Sequence, residues 1–353
     1  MKKLNVAVLF GGCSEEYGIS LKSAHTVLTN MDRNKYDPVM VGITPEGEWL
    51  KYDGPVECIL SDTWKSSEYC TPAIISPNRM TKGLVVFYGK QIAIMPLDVV
   101  FPMLHGKHGE DGAIQGLLEL AGIPYVGCGV ESSVLCMDKE LAYRIVRTAG
   151  VKTPRFNVLV NPSAIEIAGA DKGLVYPLFV KPARSGSSFG VTKVLQPDEL
   201  TAAVGEAGKF DGKVLIEEGI EGAETGCAVL GNGDELAVGE VDEIELSHGF
   251  FRIHQESQPE VSSVNSTIHV PARFSPEIRQ TLQQTAQVIY RALGCSGLAR
   301  VDMFITADQQ IYFNEVNTMP GFTSYSRYPR MMAAAGRSVA QVIDQVIQLA
   351  VPN

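Results

Sequence analysis

Two stretches of the chain carry side chains whose types and spacing suit chemistry on phosphate. In the first, Lys181-Pro182-Ala183-Arg184-Ser185-Gly186-Ser187-Ser188-Phe189-Gly190, a lysine ends an apolar run and a small, polar, glycine-containing loop follows. Backbone N–H groups in such a loop can approach phosphate oxygens while the ammonium supplies a point charge. An ordinary hairpin turn with a surface lysine would read the same way, and the spacing is not that of a Walker A loop. In the second, Arg300-Val301-Asp302-Met303-Phe304 and Phe313-Asn314-Glu315-Val316-Asn317 flank the turn-like Asp308-Gln309-Gln310. Side chains alternate along a strand, so Arg300 and Asp302 share a face, as do Glu315 and Asn317. A turn centred between Asp308 and Gln309 sets Asp302 opposite Glu315 and Arg300 opposite Asn317. Two carboxylates and an amide oxygen so placed suit a hard cation such as Mg2+ shared with substrate phosphates; the alternative is a solvated strand face with a cross-strand ion pair.

Other polar groups are ambiguous by themselves. Glu217 and Glu218 stand where a strand meets Gly219, Glu224 follows another turn, and Lys139 decorates the start of a helix. His105 and His254 lie in polar surroundings, His25 in a helical pattern and His269 in a strand, and no pair has zinc-ligand spacing.

Positioning these groups takes alternating strands and helices. Residues 4–10 read as a buried strand that stops at Gly11-Gly12, residues 20–31 as a helix and 38–43 as the next strand, which implies a parallel unit. Residues 98–104 read as a strand ending in the polar loop 105–112, and such strand-end loops hold ligands in open α/β sheets. A smaller α+β unit follows, with a helix near 138–148 and short strands at 177–181, 191–194 and 214–218. Further on, Ser275 and Pro276 start a helix that Gly294 stops, and residues 339–350 repeat apolar side chains at helical spacing. The expected division is 1–129, an N-terminal open parallel α/β domain; 130–221, a central subdomain; and 222–353, a C-terminal catalytic subdomain.

At 353 residues the chain exceeds the roughly 250 to 300 at which one core stops growing, so several domains are expected. A net charge of -10 opposes binding to nucleic acid. Seven cysteines, without a CxxC pair, suggest neither a disulfide framework nor a zinc ribbon and fit the reducing cytoplasm. No apolar run approaches the ~18 residues of a membrane span.

Taken together, Gly11-Gly12-x-Ser14-x-Glu16, the segment from Leu104-His105-Gly106-Lys107 to Gly109-Glu110-Asp111-Gly112, Met137-Asp138-Lys139, Lys181-Pro182 with Gly186-Ser187-Ser188, and Glu315-Val316-Asn317-Thr318-x-Pro320-Gly321 resemble the D-alanine:D-alanine ligase family of ATP-grasp enzymes. The likeness runs from about Val6 to Leu349. Within the family the chain is most similar to the vancomycin-resistance D-alanine:D-lactate ligases, through Phe251-Arg252-Ile253-His254-Gln255-Glu256 and the segment 322–332, while Tyr17-Gly18 resembles the D-serine ligases.

The resemblance implies an ATP-grasp fold, α/β and α+β, and a reaction in which D-alanine's carboxylate attacks the γ-phosphate of ATP and a second nucleophile displaces phosphate from the acyl phosphate. It implies Lys139, Lys181, Ser188, Glu217, Glu218 and Glu224 at the nucleotide, and Asp302, Glu315 and Asn317 on two Mg2+ ions, with Mn2+ as a substitute. It implies Glu16 on the first D-alanine's ammonium, with His105 and Ser187 orienting that substrate. Arg300 and the Gly321 amide would stabilise the tetrahedral intermediate, Ser326 and Arg327 would bind the second substrate's carboxylate, and a protonated His254 would favour D-lactate over D-alanine. The implied product is D-alanyl-D-lactate for altered peptidoglycan precursors and glycopeptide resistance, with D-alanyl-D-serine or D-alanyl-D-alanine as alternatives. A cytoplasmic homodimer without nucleic-acid or membrane partners is expected. A binding-only ATP-grasp protein would have lost a metal ligand or phosphate lysine, and a carboxylating one has no need of Glu16 and the His105 loop.

Overall fold

The computed structural model describes residues 2–66, 68–186, 189–249 and 265–351, and builds them around three sheets. The first contains β1 (Leu4–Gly11), β2 (Tyr36–Ile43), β3 (Trp49–Tyr52), β4 (Cys70–Ile75), β5 (Gly83–Tyr88), β6 (Gln91–Pro96) and β7 (Val99–Pro102), in the order β6-β5-β4-β3-β2-β1-β7. Its parallel part is β2-β1-β7, and β3 to β6 extend it as an antiparallel meander. The fully buried run from Val6 to Phe10 explains why β1 is central: a strand covered on both faces reads as unbroken aliphatic sequence.

The second sheet holds β8 (Phe156–Val160), β9 (Leu178–Pro182), β10 (Thr192–Val194) and β11 (Lys213–Glu218), in the order β10-β9-β11-β8. The third holds β12 (Ala223–Asn232), β13 (Glu235–Leu246), β14 (Ser266–His269), β15 (Leu298–Ile305) and β16 (Ile311–Asn317), in the order β14-β13-β12-β15-β16. The helix Pro276–Ala292 covers it, capped by the Ser275 hydroxyl on the Ile278 amide, with Leu282, Ala286 and Ile289 buried.

The β15–β16 hairpin keeps the expected pairs, Arg300 opposite Asn317 and Asp302 opposite Glu315, but the register breaks just beyond, where Met303 pairs with Phe313. Asn314 is left as a bulge. This lets Phe313 and Val316, three apart, both face the core, while Glu315 and Asn317 stay on the opposite face with Asp302.

The first and third sheets share one core. Phe101 meets the Phe322 ring edge-on at 6.1 Å, Phe322 stacks on Tyr328 at 5.8 Å, and Met319 is buried beside them. The loop after β16 is therefore anchored by its own apolar side chains at the seam between the two sheets.

Candidate active site

Strand β9 ends in Lys181, a buried side chain whose ammonium lies 2.7 Å from Glu217 Oε1 and 5.7 Å from the centre of the Tyr143 ring. Tyr143 donates to the other Glu217 oxygen at 2.8 Å. Lys139 opens the helix Lys139–Thr148, which Asp138 caps; its ammonium donates to the Ser185 carbonyl at 2.8 Å and stands 3.2 Å from Glu315. Both lysines therefore face the hairpin from the second sheet's side. Burial pushes Glu315 up, but Lys139, Lys181 and Arg300 outweigh it and hold the carboxyl below its ordinary value. Glu218, one residue along β11, points the other way. It accepts the Val175 amide at 2.9 Å and pairs with Arg155 at 3.4 Å, away from Lys181, because neighbours on a strand face opposite sides.

On the hairpin, Arg300 grips Asp302 at 2.7 to 3.0 Å, and Asn317 Nδ2 donates to the same carboxylate at 3.2 Å. Arg327, which the resemblance puts with Ser326 at the second substrate's carboxylate, has its guanidinium turned inward. It is buried, holds Asp242 through two hydrogen bonds of 2.6 and 2.8 Å, and lies 3.2 Å from Asp302 and 3.4 Å from Glu224. Three carboxylates occupy its donors, so it braces Asp302. Gly226 on β12 leaves the room: a Cβ there would stand 2.4 Å from Arg327 Nη2 and 2.8 Å from Asp302 Oδ1. Among the described residues no three His, Cys, Asp or Glu side chains gather as a metal cluster. Asp302, Glu315 and Asn317 nevertheless offer adjoining oxygen donors of the hard type that Mg2+ takes, two of them anionic, so the donor set fits such a cation bound jointly with phosphates.

The third part of the site lies between the first and third sheets. Glu16 precedes the helix Tyr17–Asn30, and its carboxylate is bracketed by two glycines: a Cβ at Gly186 would stand 3.3 Å from Oε1, and one at Gly106 would stand 3.4 Å from Oε2. His105 is buried with both ring nitrogens used. Nδ1 is 2.9 Å from the Met319 carbonyl and Nε2 is 3.0 Å from Ser23 Oγ, which also accepts the Phe322 amide at 3.1 Å. A carbonyl cannot donate, so Nδ1 carries the proton and Nε2 accepts from Ser23. Burial, the largest influence, lowers the His105 pKa and keeps this neutral form. His105 thus acts on the 319–322 loop. Glu110, partly buried, accepts the Gly106 amide and the Met319 amide, each at 2.9 Å, and burial together with nearby Glu16 pushes its carboxyl up to about 7. A Cβ on Gly321 would stand 2.9 Å from Ser326 Oγ, so the lack of a side chain brings the Gly321 backbone beside that hydroxyl at the start of the helix Arg327–Ala334. Tyr17 is drawn away: its hydroxyl donates to Asp62 at 2.8 Å and accepts from the Trp64 indole at 3.1 Å.

Ser187, Ser188 and His254 lie outside the described residues. Asp242, Gly226, Tyr143, Ser23 and Glu110 were not singled out from sequence. Glu110 stood in a motif already noticed, whereas Asp242 is one of five acids along β13 and nothing in the sequence sets it apart. Two surface cavities, about 500 Å3 beside Arg79 and Tyr125 and about 880 Å3 beside Phe274 and Tyr312, contain none of the candidate residues.

Two lysines beside an oxygen-rich hairpin, and a carboxylate bracketed by two glycines, are parts that acyl phosphate chemistry can use. Comparison with known proteins gives the same direction. Residues 5–128 match the family model D-ala D-ala ligase N-terminus, and residues 145–348 match D-ala D-ala ligase C-terminus. The chain is 55% identical to a putative D-alanine–D-lactate ligase of Streptomyces coelicolor over 99% of this chain and 98% of that relative. It is 53% identical to the vancomycin B-type resistance protein VanB of Enterococcus faecalis over 99% of each. The crystal structure of the VanG D-Ala:D-Ser ligase from Enterococcus faecalis superposes with a TM-score of 0.90 at 48% identity, covering 99% of this chain and all of that one. The chain belongs to the D-Ala-D-Ala ligase family and has its ATP-grasp fold.

Proposed function

We propose that the protein is an ATP-dependent ligase that activates D-alanine as D-alanyl phosphate and joins it to D-lactate, giving the depsipeptide D-alanyl-D-lactate of altered peptidoglycan precursors in vancomycin resistance. The observation that carries this reading is the hairpin: Glu315 lies 3.2 Å from Lys139 while Asp302 on the paired strand is held by Arg300, and the same strand runs on into Gly321 and Ser326. Likeness to the Streptomyces and VanB ligases supports D-lactate as the second substrate.

Lys139 and Lys181 hold the ATP phosphates, with Glu217 and Glu224 at the nucleotide's base and sugar. Asp302, Glu315 and Asn317 would hold two Mg2+ ions, with Mn2+ as a substitute, which would neutralise charge on the phosphates. Glu16 receives the ammonium of D-alanine. When the second substrate attacks the D-alanyl carbonyl and phosphate leaves, Arg300 and the Gly321 amide balance the negative oxygen, and Ser326 receives the second carboxylate. Segments 1–129, 130–221 and 222–353 serve as the bodies that close on the substrates, in a cytoplasmic homodimer; among the described residues no helix is long and apolar enough to cross a membrane.

Likeness to VanG favours D-serine as the second reading, but Tyr17, which carries the resemblance to the D-serine ligases, has its hydroxyl engaged by Asp62 and Trp64. Mass spectrometry of products made from ATP, Mg2+ and D-alanine with equal D-lactate and D-serine should show D-alanyl-D-lactate in excess. Predominance of D-alanyl-D-serine or D-alanyl-D-alanine would overturn the second substrate, and absence of ADP release would overturn the ligase.

A further inference from the structure

Glu110 takes no part in the chemistry above, yet its carboxylate ties the two substrate ends of the site together. Its Oε2 accepts the Gly106 amide, and Gly106 packs on the Glu16 carboxylate. Its Oε1 accepts the Met319 amide from across the seam, two residues before Gly321. The carbonyl of the same Met319 residue takes the His105 Nδ1 proton, so Met319 is held at both its N–H and its C=O by neighbours in the 105–110 loop. On the other side of this loop, Ser14 Oγ donates to the His105 carbonyl at 2.7 Å and accepts the Glu16 amide at 3.3 Å.

We propose that Glu110 is a positioning residue that fixes the distance between the Glu16 carboxylate and the Gly321–Ser326 segment, and so aligns the second substrate with the D-alanyl phosphate. This rests on the ligase reading above. Two accepting oxygens are needed, because each faces a backbone donor. Glutamine of the same shape offers one oxygen and one NH2 group, and the NH2 must meet the Gly106 or the Met319 donor head-on. Freed at one end, the loop shifts the Gly321 amide relative to Glu16, and a misplacement of about 1 Å is enough to cost on the order of 100-fold in rate. The nucleotide side, built on Lys139, Lys181 and Glu217, does not touch this carboxylate.

The test is steady-state kinetics of wild type, Glu110→Gln and Glu110→Asp on the full chain, with circular dichroism to verify folding. Glu110→Gln should lower kcat by 10- to 100-fold and raise KM for the second substrate, with KM for ATP unchanged, on the scale of a misaligned reacting pair. Glu110→Asp, which keeps two carboxyl oxygens, should recover part of kcat. Equal loss in both variants with a changed ATP KM, or a folded Glu110→Gln with wild-type kcat and second-substrate KM, overturns the proposal. A wild-type enzyme that forms no ligation product overturns the ligase reading instead. If Glu110→Gln does not fold, Glu110→Asp decides alone: wild-type kinetics there, or a raised ATP KM, refutes the positioning role.

Discussion

Arg327 shows how far a residue's type leaves its task open. The family resemblance puts it with Ser326 at the second substrate's carboxylate, while its guanidinium holds Asp242, Asp302 and Glu224, and no sequence spacing ties residue 327 to residue 242. The two roles separate cleanly by experiment. Asp242 is wholly buried, and Arg327→Met leaves its charge without that cation, so this variant should destabilise the fold by about 3 to 5 kcal/mol in urea denaturation, the cost of a broken buried pair. It should also slacken Asp302 and raise the Mg2+ concentration needed for half-maximal rate. An unchanged urea midpoint with a raised second-substrate KM would restore the substrate role. The strand-end place of Lys181 and the shared hairpin face of Asp302, Glu315 and Asn317 are legible from periodicity, whereas Lys139 at a helix start is ambiguous until the resemblance is drawn. Gly226 and Asp242 are not legible, because their importance lies in what stands across the sheet.

At the scale of elements, alternation predicts the pairs Arg300–Asn317 and Asp302–Glu315 correctly, but the same alternation carried back from Glu315 puts Phe313 on the site face. The Asn314 bulge puts it in the core instead. A bulge leaves little trace in a single sequence because the two-residue period continues on either side of it. This distinction can be tested by changing the strand length. Deleting Asn314 restores regular alternation with Phe313 inward and Glu315 and Asn317 still outward, so ADP release should persist, lowered by about 10-fold through lost twist. Inserting one alanine between Glu315 and Val316 turns Asn317 into the core and Val316 onto the site, and should abolish ADP release. Equal activity in the two variants would mean that facing does not govern the site. The parallel strands β2, β1 and β7 are legible instead as apolar runs, whereas the antiparallel meander of β3 to β6 joins short segments whose order the sequence does not mark.

For the whole molecule, the decisive feature is the seam at which the first sheet's 105–112 loop meets the loop after β16, and two ionisable groups there respond to pH in opposite senses. His105 is neutral when folded and faces Glu16, Arg300 and the Met319 carbonyl, with burial the dominant influence lowering its pKa. Its contribution to stability is therefore complete above its ordinary value of 6.5 and is lost as pH falls below that, when the unfolded chain takes up a proton that the folded chain resists. Glu110 faces Glu16, Arg300, the thiol of Cys136 and the two amides, and its folded pKa lies near 7, above the ordinary 4.5. Its contribution is complete below 4.5 and is lost as pH rises towards 7. Both tryptophans, Trp49 on β3 and Trp64 in the shared core, report on the first sheet's side of this seam. Urea midpoints followed by their fluorescence from about pH 5 to about pH 8 should give opposite trends. The advantage of wild type over His105→Gln should grow with pH, whereas its advantage over Glu110→Gln should shrink. Parallel trends in the two variants would show that the groups titrate as exposed side chains and that the seam does not hold them.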